Sequence, residues 1–250
     1  MTRKEKELKR RIQERLVLRL SLIYQTKIRR LIKQSFKTAS TAYESSGLVE
    51  PAVQKINESL EKELYTLYVR SFSSMGEITR KDLKERKGYV SFEKKDTAFA
   101  ESMIKFARIN AAQKVTQISK ATTEKINSII VSGIKDELMN TEIAKNILTV
   151  GDIESKYRAV MIARTEIHSA ANAGSLEVAK ESGIVAMKEW ISVNDERTRA
   201  GDNSDYDHTD VDPVPLNEDF YVSGEYLKYP GDPMGSAGNI INCRCAVVYD

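Results

Sequence analysis

The sequence has few of the residues that break helices or cross-link chains. Its 250 residues include 5 prolines, 12 glycines and 2 cysteines, and four of the prolines lie in the last 40 residues. Because proline ends helices and favours turns, this distribution predicts long helices first and turns with short strands later. Cys243 and Cys245 are only two residues apart, where a disulfide would be strained. Free thiols favour a reducing compartment.

Two further absences exclude membrane and secreted classes. The sequence contains no run of 18 apolar residues, which a membrane-spanning helix requires. Its first seven residues lack the apolar core of a secretory signal. We therefore expect no membrane partner and assembly in a host cytoplasm. Hydrophobic residues make up 41% and charged residues 30% of the chain, a balance that excludes wholesale disorder.

Charge is distributed unevenly along the chain. Residues 1–37 carry seven Arg and six Lys against three Glu, a formal charge of +10. Residues 195–250 carry 12 acidic residues against three Arg and one Lys, a formal charge of −8. Such polarity predicts two different partners for the two ends, or head-to-tail contacts between copies.

Apolar residues recur at helical spacing through most of the first 180 residues. The first helix is predicted from about residue 3 to 45, with a stripe of Leu8, Ile12, Leu16, Leu20, Ile23, Leu31 and Ile32. A second helix is predicted to begin near Pro51 and end at residues 73–76, before a charged linker over 77–95. A third is predicted over 96–131, and β-branched residues favour a break near residues 121–123.

The remaining pattern predicts two more helices and two strands. Thr141 is the expected N-cap of a short helix over 142–148, and Gly183 is the expected C-cap of a helix that begins at Asp152 or Ser155. Strands are predicted over 185–193 and 239–249. The fold class is therefore α+β and mostly α. A basic helical region (1–120) precedes a small C-terminal α+β module with short strands (121–250).

Four short motifs occur in order within residues 163–245. The first is Ala163-Arg164-Thr165-Glu166, followed by Asn172. The second is a strand around Trp190, followed by Asp195-Glu196-Arg197-Thr198-Arg199 and His208. The third and fourth are Tyr229-Pro230-Gly231-Asp232-Pro233 and Asn242-Cys243-Arg244-Cys245. In combination, order and spacing, they resemble the phage head-morphogenesis family of Mu F protein and the SPP1 minor head protein.

The resemblance implies a structural role in a tailed-phage virion. It implies a minor head protein inside the capsid near the portal, acting in procapsid assembly and in DNA packaging or ejection. The implied partners are the portal protein and the major capsid or scaffold protein. On this interpretation the chain is not an enzyme and needs no cofactor. The alternatives are a non-specific DNA-binding protein and a metal-dependent hydrolase that uses His208, Cys243, Cys245 and Glu166.

The motif residues themselves allow a structural and a catalytic interpretation. Arg164 and Glu166 are two apart on a helix, so they cannot pair with each other. The favoured interpretation pairs Arg164 with a carboxylate of the acidic C-terminal segment, and Glu166 with Arg197 or Arg199. The alternative makes Glu166 a catalytic carboxylate, which would also need a partner and a pocket.

The cysteine pair likewise has two interpretations. If residues 242–245 form a strand, Cys243 and Cys245 share one face, and two thiols buried behind Trp190 are favoured over a metal site. The alternative is tetrahedral zinc bound by His208, Cys243, Cys245 and one carboxylate, such as Asp207 or Asp210. The Asp-rich run over 202–210 lacks the glycine and the closing glutamate of a calcium loop, so an exposed acidic loop is expected.

The basic first helix is predicted to bind something negatively charged. Double-stranded DNA, bound without sequence specificity, and an acidic face of the portal or shell are equally favoured partners. The residues expected to contact either partner are Arg10, Arg11, Arg15, Arg19, Lys27, Arg29, Arg30 and Lys33.

Overall fold

The computed structural model describes residues 1–47, 49, 53–87 and 96–250. Within these ranges the fold has four long helices: α1 (Arg3–Ser46), α2 (Asn57–Lys87), α3 (Asp96–Lys135) and α4 (Asn140–Ser182). Short antiparallel strands follow them. The mostly helical α+β fold class is therefore confirmed. The start predicted at Pro51 and the linker residues 88–95 lie outside the described residues.

Helix α1 was predicted almost to the residue, but its buried face was predicted only in part. The buried stripe repeats at three- and four-residue spacing and consists of Leu16, Leu20, Tyr24, Ile28, Leu31, Ile32, Phe36, Ala39 and Tyr43. In contrast, Leu8 is 58% exposed. In the first three turns of α1, the buried side chains are those of Arg10 and Gln13. Two polar residues are therefore buried where the apolar spacing predicted that Leu8 and Ile12 would be.

Three predicted helix breaks are wrong. Helix α2 continues past residues 73–76 to Lys87, and Gly76 lies within it, where an added Cβ would meet the Phe99 ring at 2.5 Å. Helix α3 continues through Thr122, whose hydroxyl accepts a hydrogen bond from Arg158 of α4 at 3.0 Å. Helix α4 continues through Gly151, which packs against Phe36. Tertiary packing therefore overrides weak local helix propensity at each place.

A line of small residues on α4 allows α2 to approach closely. A Cβ added at Gly174 would lie 2.1 Å from the Phe72 carbonyl oxygen, a distance that no relaxed side chain can occupy. Nearby, the Thr79 and Ser175 hydroxyls are hydrogen bonded at 2.7 Å. Helix α4 ends before Gly183, whose φ of +68° is the left-handed conformation predicted for its C-cap.

The strands form two small antiparallel sheets. β1 (Met187–Ile191) lies between β2 (Val214–Pro215) and β5 (Ala246–Tyr249), and Trp190 pairs with Val247. β3 (Phe220–Val222) and β4 (Glu225–Leu227) form a hairpin, and a single-turn helix, α5 (Ala237–Ile240), precedes β5. The predicted strand over 185–193 is confirmed at its centre.

The closing strand predicted over 239–249 is confirmed only over Ala246–Tyr249. Its first part forms the end of α5 and a turn, and Asn242 has a φ of +56°, which is incompatible with extended backbone. Cys243 and Cys245 are therefore placed by this turn and not by strand alternation.

Lys188 is a buried cation at the centre of the larger sheet. The residue is 2% exposed. Its Nζ donates a hydrogen bond to the Lys228 carbonyl at 2.7 Å and lies 4.7 Å from the centre of the Phe220 ring. Burial lowers the pKa of Lys188 to about 8, because desolvation disfavours the charged ammonium.

The chain divides into two compact units that each combine separate segments. One unit contains Met1–Ser21, Leu67–Phe106 and Arg164–Asp250, and the other contains Leu22–Thr66 and Ala107–Ala163. The division predicted at residue 120 stays a prediction. Among the described residues, none of the helices is long and apolar enough to cross a membrane.

Candidate functional site

Two thiols and one imidazole meet in the interior of the first unit. Cys243 and Cys245 are free thiols, and both are buried, as is His208. The Sγ atoms of Cys243 and Cys245 each lie 3.6 Å from His208 Nδ1. The three atoms that could bind a metal ion all lie within 4.8 Å of one another. We call these three residues the thiol–imidazole cluster.

The orientation of His208 is fixed by Asn239, a fully buried residue of α5. Asn239 Nδ2 donates to the Val222 carbonyl at 3.4 Å, so its amide oxygen is the atom that faces His208. That oxygen lies 3.0 Å from His208 Nε2. Because an amide oxygen only accepts, Nε2 carries the ring proton of neutral His208. The lone pair on Nδ1 then faces both sulfurs.

A second buried histidine, His168 of α4, lies close to Cys243. Asn172, one turn further along α4, donates from Nδ2 to the Pro230 carbonyl at 2.8 Å and also contacts His168 Nε2 at 3.1 Å. His168 Nε2 is therefore an acceptor, which leaves the proton of the neutral ring on Nδ1. Gly231, at φ +80°, leaves room for the imidazole.

The two thiols have opposite acidities. A hydrogen bond from Cys245, together with the nearby His168, holds the pKa of Cys243 well below its usual value. The pKa of Cys245 is raised, because ionised Cys243 and burial both disfavour a second negative charge. One thiolate is thus stabilised in the cluster.

Four arginines surround a cleft of about 470 Å³ next to the cluster. Its lining includes Cys243 and His168, and the arginines are Arg164, Arg197, Arg199 and Arg244. Arg244 binds both carboxylate oxygens of Asp195, and this pair holds the pKa of Asp195 well below its usual range. Arg199 donates to the Ile241 carbonyl. Two of the four arginines therefore hold loops in place.

The first motif lies on α4 beside these loops. The Thr165 hydroxyl accepts a hydrogen bond from the Asn242 backbone N–H at 3.1 Å, which joins the first motif to the fourth. Glu166 is buried and accepts a hydrogen bond from the Tyr68 hydroxyl at 2.7 Å. Arg164 and Arg197 are exposed. The ion pairs predicted for Arg164 and Glu166 stay predictions.

Comparison with known proteins identifies a family for this chain. The sequence profile of the phage Mu protein F like family matches residues 124–248. That range is half of the chain and contains all four motifs. The chain belongs to this family. No curated protein and no solved structure matches the sequence. The family supports a role in phage head morphogenesis and association with a virion.

The matched range contains every residue of the thiol–imidazole cluster and every arginine of the cleft. It also contains two buried residues that sequence reasoning did not assign to the site. They are His168, which lies one turn after Arg164 on α4, and Asn239 of α5. The i, i+4 spacing of His168 and Asn172 is the sequence signal that could have placed His168 in the site. The sequence contains no comparable signal for Asn239, because the short helix α5 positions it.

The carboxylates considered as zinc ligands are not part of the described cluster. Asp207 accepts hydrogen bonds from the backbone N–H groups of Gly201 and Thr209 at 2.9 and 2.7 Å, so it stabilises its own loop. Asp210 is exposed.

The basic residues predicted on α1 are only partly available to a partner. Arg10 is 5% exposed and is bound by Glu7 and Glu14, so it belongs to the interior and not to a binding surface. Lys27 pairs with Glu63, and Arg29 and Lys33 both pair with Asp152. Arg11, Arg15, Arg19 and Arg30 are exposed, and Arg11 pairs with Glu7 of its own helix.

Proposed function

We propose that the chain is a structural minor head protein of a tailed phage and not an enzyme. It acts inside the capsid near the portal, in procapsid assembly and in DNA packaging or ejection. The observation that carries the proposal is the family match over residues 124–248. It is supported by the contacts of the motif residues, because Asp195, Asn172, Thr165 and Arg244 each bind another part of the same chain.

Helix α1 supplies the surface that we assign to the portal or shell. Leu8 and Leu18 are 58% and 46% exposed, and Arg11 and Arg15 lie between them at helical spacing. We call Leu8, Arg11, Arg15 and Leu18 the α1 stripe. Exposed leucines among cations favour an acidic protein surface with apolar pockets. A DNA interface is more polar and gains its affinity from charge.

Co-sedimentation with the portal protein of the same phage tests this proposal. The wild-type chain is expected to sediment with the portal, and Leu8→Ser/Leu18→Ser and Arg15→Glu/Arg19→Glu are each expected to weaken binding at least tenfold. The matched control is Lys105→Glu/Arg108→Glu, which makes the same charge change at exposed positions of α3 and should bind as the wild type does.

The same variants separate the portal from DNA. Binding to duplex DNA that falls steeply with salt, is lost in Arg15→Glu/Arg19→Glu and is kept in Leu8→Ser/Leu18→Ser would support the DNA-binding alternative. A wild-type chain that does not bind portal, capsid or scaffold protein overturns the proposal.

A further inference from the structure

The geometry of the thiol–imidazole cluster points to a bound metal ion. We propose that His208 Nδ1 and the Sγ atoms of Cys243 and Cys245 bind one zinc ion in this protein. The sequence favoured a metal-free pair of buried thiols, because a C-x-C pair with one distant histidine is an incomplete zinc motif. The fold brings His208 to the two thiols from 35 and 37 residues away.

The distances fit tetrahedral zinc. Zinc–sulfur bonds of about 2.3 Å and a zinc–nitrogen bond of about 2.0 Å at a tetrahedral angle place sulfur and nitrogen about 3.5 Å apart. The two observed separations are both 3.6 Å. Two thiolates also neutralise a divalent cation, so that the buried site would carry no net charge.

Hydrogen bonds alone account for this arrangement less well than a bound metal ion does. His208 Nδ1 has one lone pair, so it can accept a good hydrogen bond from only one thiol. Both sulfurs nevertheless lie at the same distance from it. A metal ion among the three atoms would bind all of them at once.

The surrounding residues match those that hold zinc ligands in place. A histidine ligand normally donates its other ring N–H to an acceptor, which fixes the ring. Asn239 provides that acceptor at 3.0 Å from His208 Nε2, and Val222 fixes the amide in turn. His168 lines the same cleft as Cys243 without being part of the cluster, so we assign it a positioning role.

One side of the site reaches the arginine-lined cleft, because Cys243 and His168 line that cleft while His208 and Cys245 do not. The fourth coordination position is therefore assigned to the cleft side, where water or a partner's side chain can enter. Thiolate and imidazole ligands at tetrahedral spacing favour zinc over calcium or magnesium, which prefer oxygen ligands.

The first test measures metal in the full chain, produced without a histidine tag. Zinc content by mass spectrometry is expected to be one ion per chain after purification without chelators. After removal of zinc under reducing conditions, added cobalt(II) should give visible bands of a tetrahedral ion and a near-ultraviolet thiolate charge-transfer band. Since the sequence has 2 cysteines, such a band reports this pair, and added zinc should abolish it.

Variants separate ligands from positioning residues. Cys243→Ser, Cys245→Ser and His208→Gln should each lose the stoichiometric ion. His168→Gln and Asn239→Ala should keep one ion but bind it about 10–100-fold more weakly. If a ligand variant fails to fold, protection of the wild-type thiols from alkylation by added zinc gives the same information.

The proposal is overturned by a natively folded wild-type chain that takes up no zinc and shows no cobalt–thiolate band. It is also overturned if His208→Gln binds zinc as tightly as the wild type. Portal binding does not enter these measurements, so the zinc proposal and the proposed function can fail independently.

Discussion

Helix α1 and the C-terminal residues 187–250 differ in how sequence relates to structure. The +10 charge at the beginning of the chain is conspicuous in the sequence, yet Arg10 is buried and Lys27, Arg29 and Lys33 are paired within the chain. In the C-terminal residues, His208 is 35 residues away from Cys243 in the sequence, yet its imidazole meets both thiols in the core. Composition thus gives the net charge of a segment. The fold decides which charged or metal-binding side chains can reach a partner or one another.

The largest expected effect tests whether the C-terminal residues have a core of their own. Trp190 is buried and packs edge-on against the rings of His208 and Phe220. Trp190→Ala should lower the free energy of unfolding by about 3–5 kcal/mol, measured by denaturant titration. Leu18→Ala in α1, at a side chain that is 46% exposed, should change it by less than about 0.5 kcal/mol. Equal effects would abolish the contrast between the two regions.

A smaller effect is expected where α4 holds the loop at Pro230. Asn172→Ala removes the donor to the Pro230 carbonyl and the contact with His168, and should destabilise the chain by about 1–3 kcal/mol. Asn217→Ala, at an exposed asparagine, is the control and should be nearly neutral. An Asn172→Ala chain as stable as the wild type would show that this hydrogen bond does not hold the loop.

Lys188 gives a pH dependence whose sign follows from its lowered pKa. Below pH 8 the ammonium is charged in both states, and the folded chain bears the full cost of burying it. As pH rises from about 8 to about 10, folded Lys188 becomes neutral while the unfolded residue is still protonated. Its cost is relieved, so stability should rise by an amount on the order of 1 kcal/mol.

The comparison that isolates this residue is wild type against Lys188→Met at pH 7, 8, 9 and 10. Wild type should gain stability relative to Lys188→Met as pH rises, and the exposed control Lys228→Met should follow wild type. Parallel curves for wild type and Lys188→Met would contradict a lowered pKa for Lys188.

The smallest effect is expected in the ion pairs of α1. Lys33 Nζ lies 2.6 Å from Asp152 Oδ1, but both side chains are more than half exposed. Lys33→Ala should therefore cost less than about 1 kcal/mol, and the cost should shrink at high salt because exposed pairs are screened. A larger loss that shrinks at high salt would mean that α1 is held by its charges rather than by its buried apolar residues.

The helices could be predicted from the sequence because their apolar spacing is local information. The extent of α1, the presence of a strand within residues 185–193 and the C-cap at Gly183 follow from such patterns. The continuity of α2, α3 and α4 could not be predicted in this way. At the positions where breaks were predicted, the helices are stabilised by contacts with residues remote in sequence, namely Phe99, Arg158 and Phe36. Local propensity contains no term for these contacts.

The candidate site was predictable as a set of residues but not as a geometry. The motifs identified His208, Cys243 and Cys245, yet strand alternation gave the wrong reason for the shared orientation of the two thiols. The turn at Asn242 and the short helix α5 place them, and α5 also supplies Asn239, whose amide orients His208. Such short elements have too few residues to show a periodic pattern.

The most direct test of the central claim is the amount of this protein in purified phage heads. Quantitative mass spectrometry of heads treated with protease on the outside should detect the intact chain, in far fewer copies than the major capsid protein. Heads that lack the chain while the infected lysate contains it would contradict a role inside the capsid.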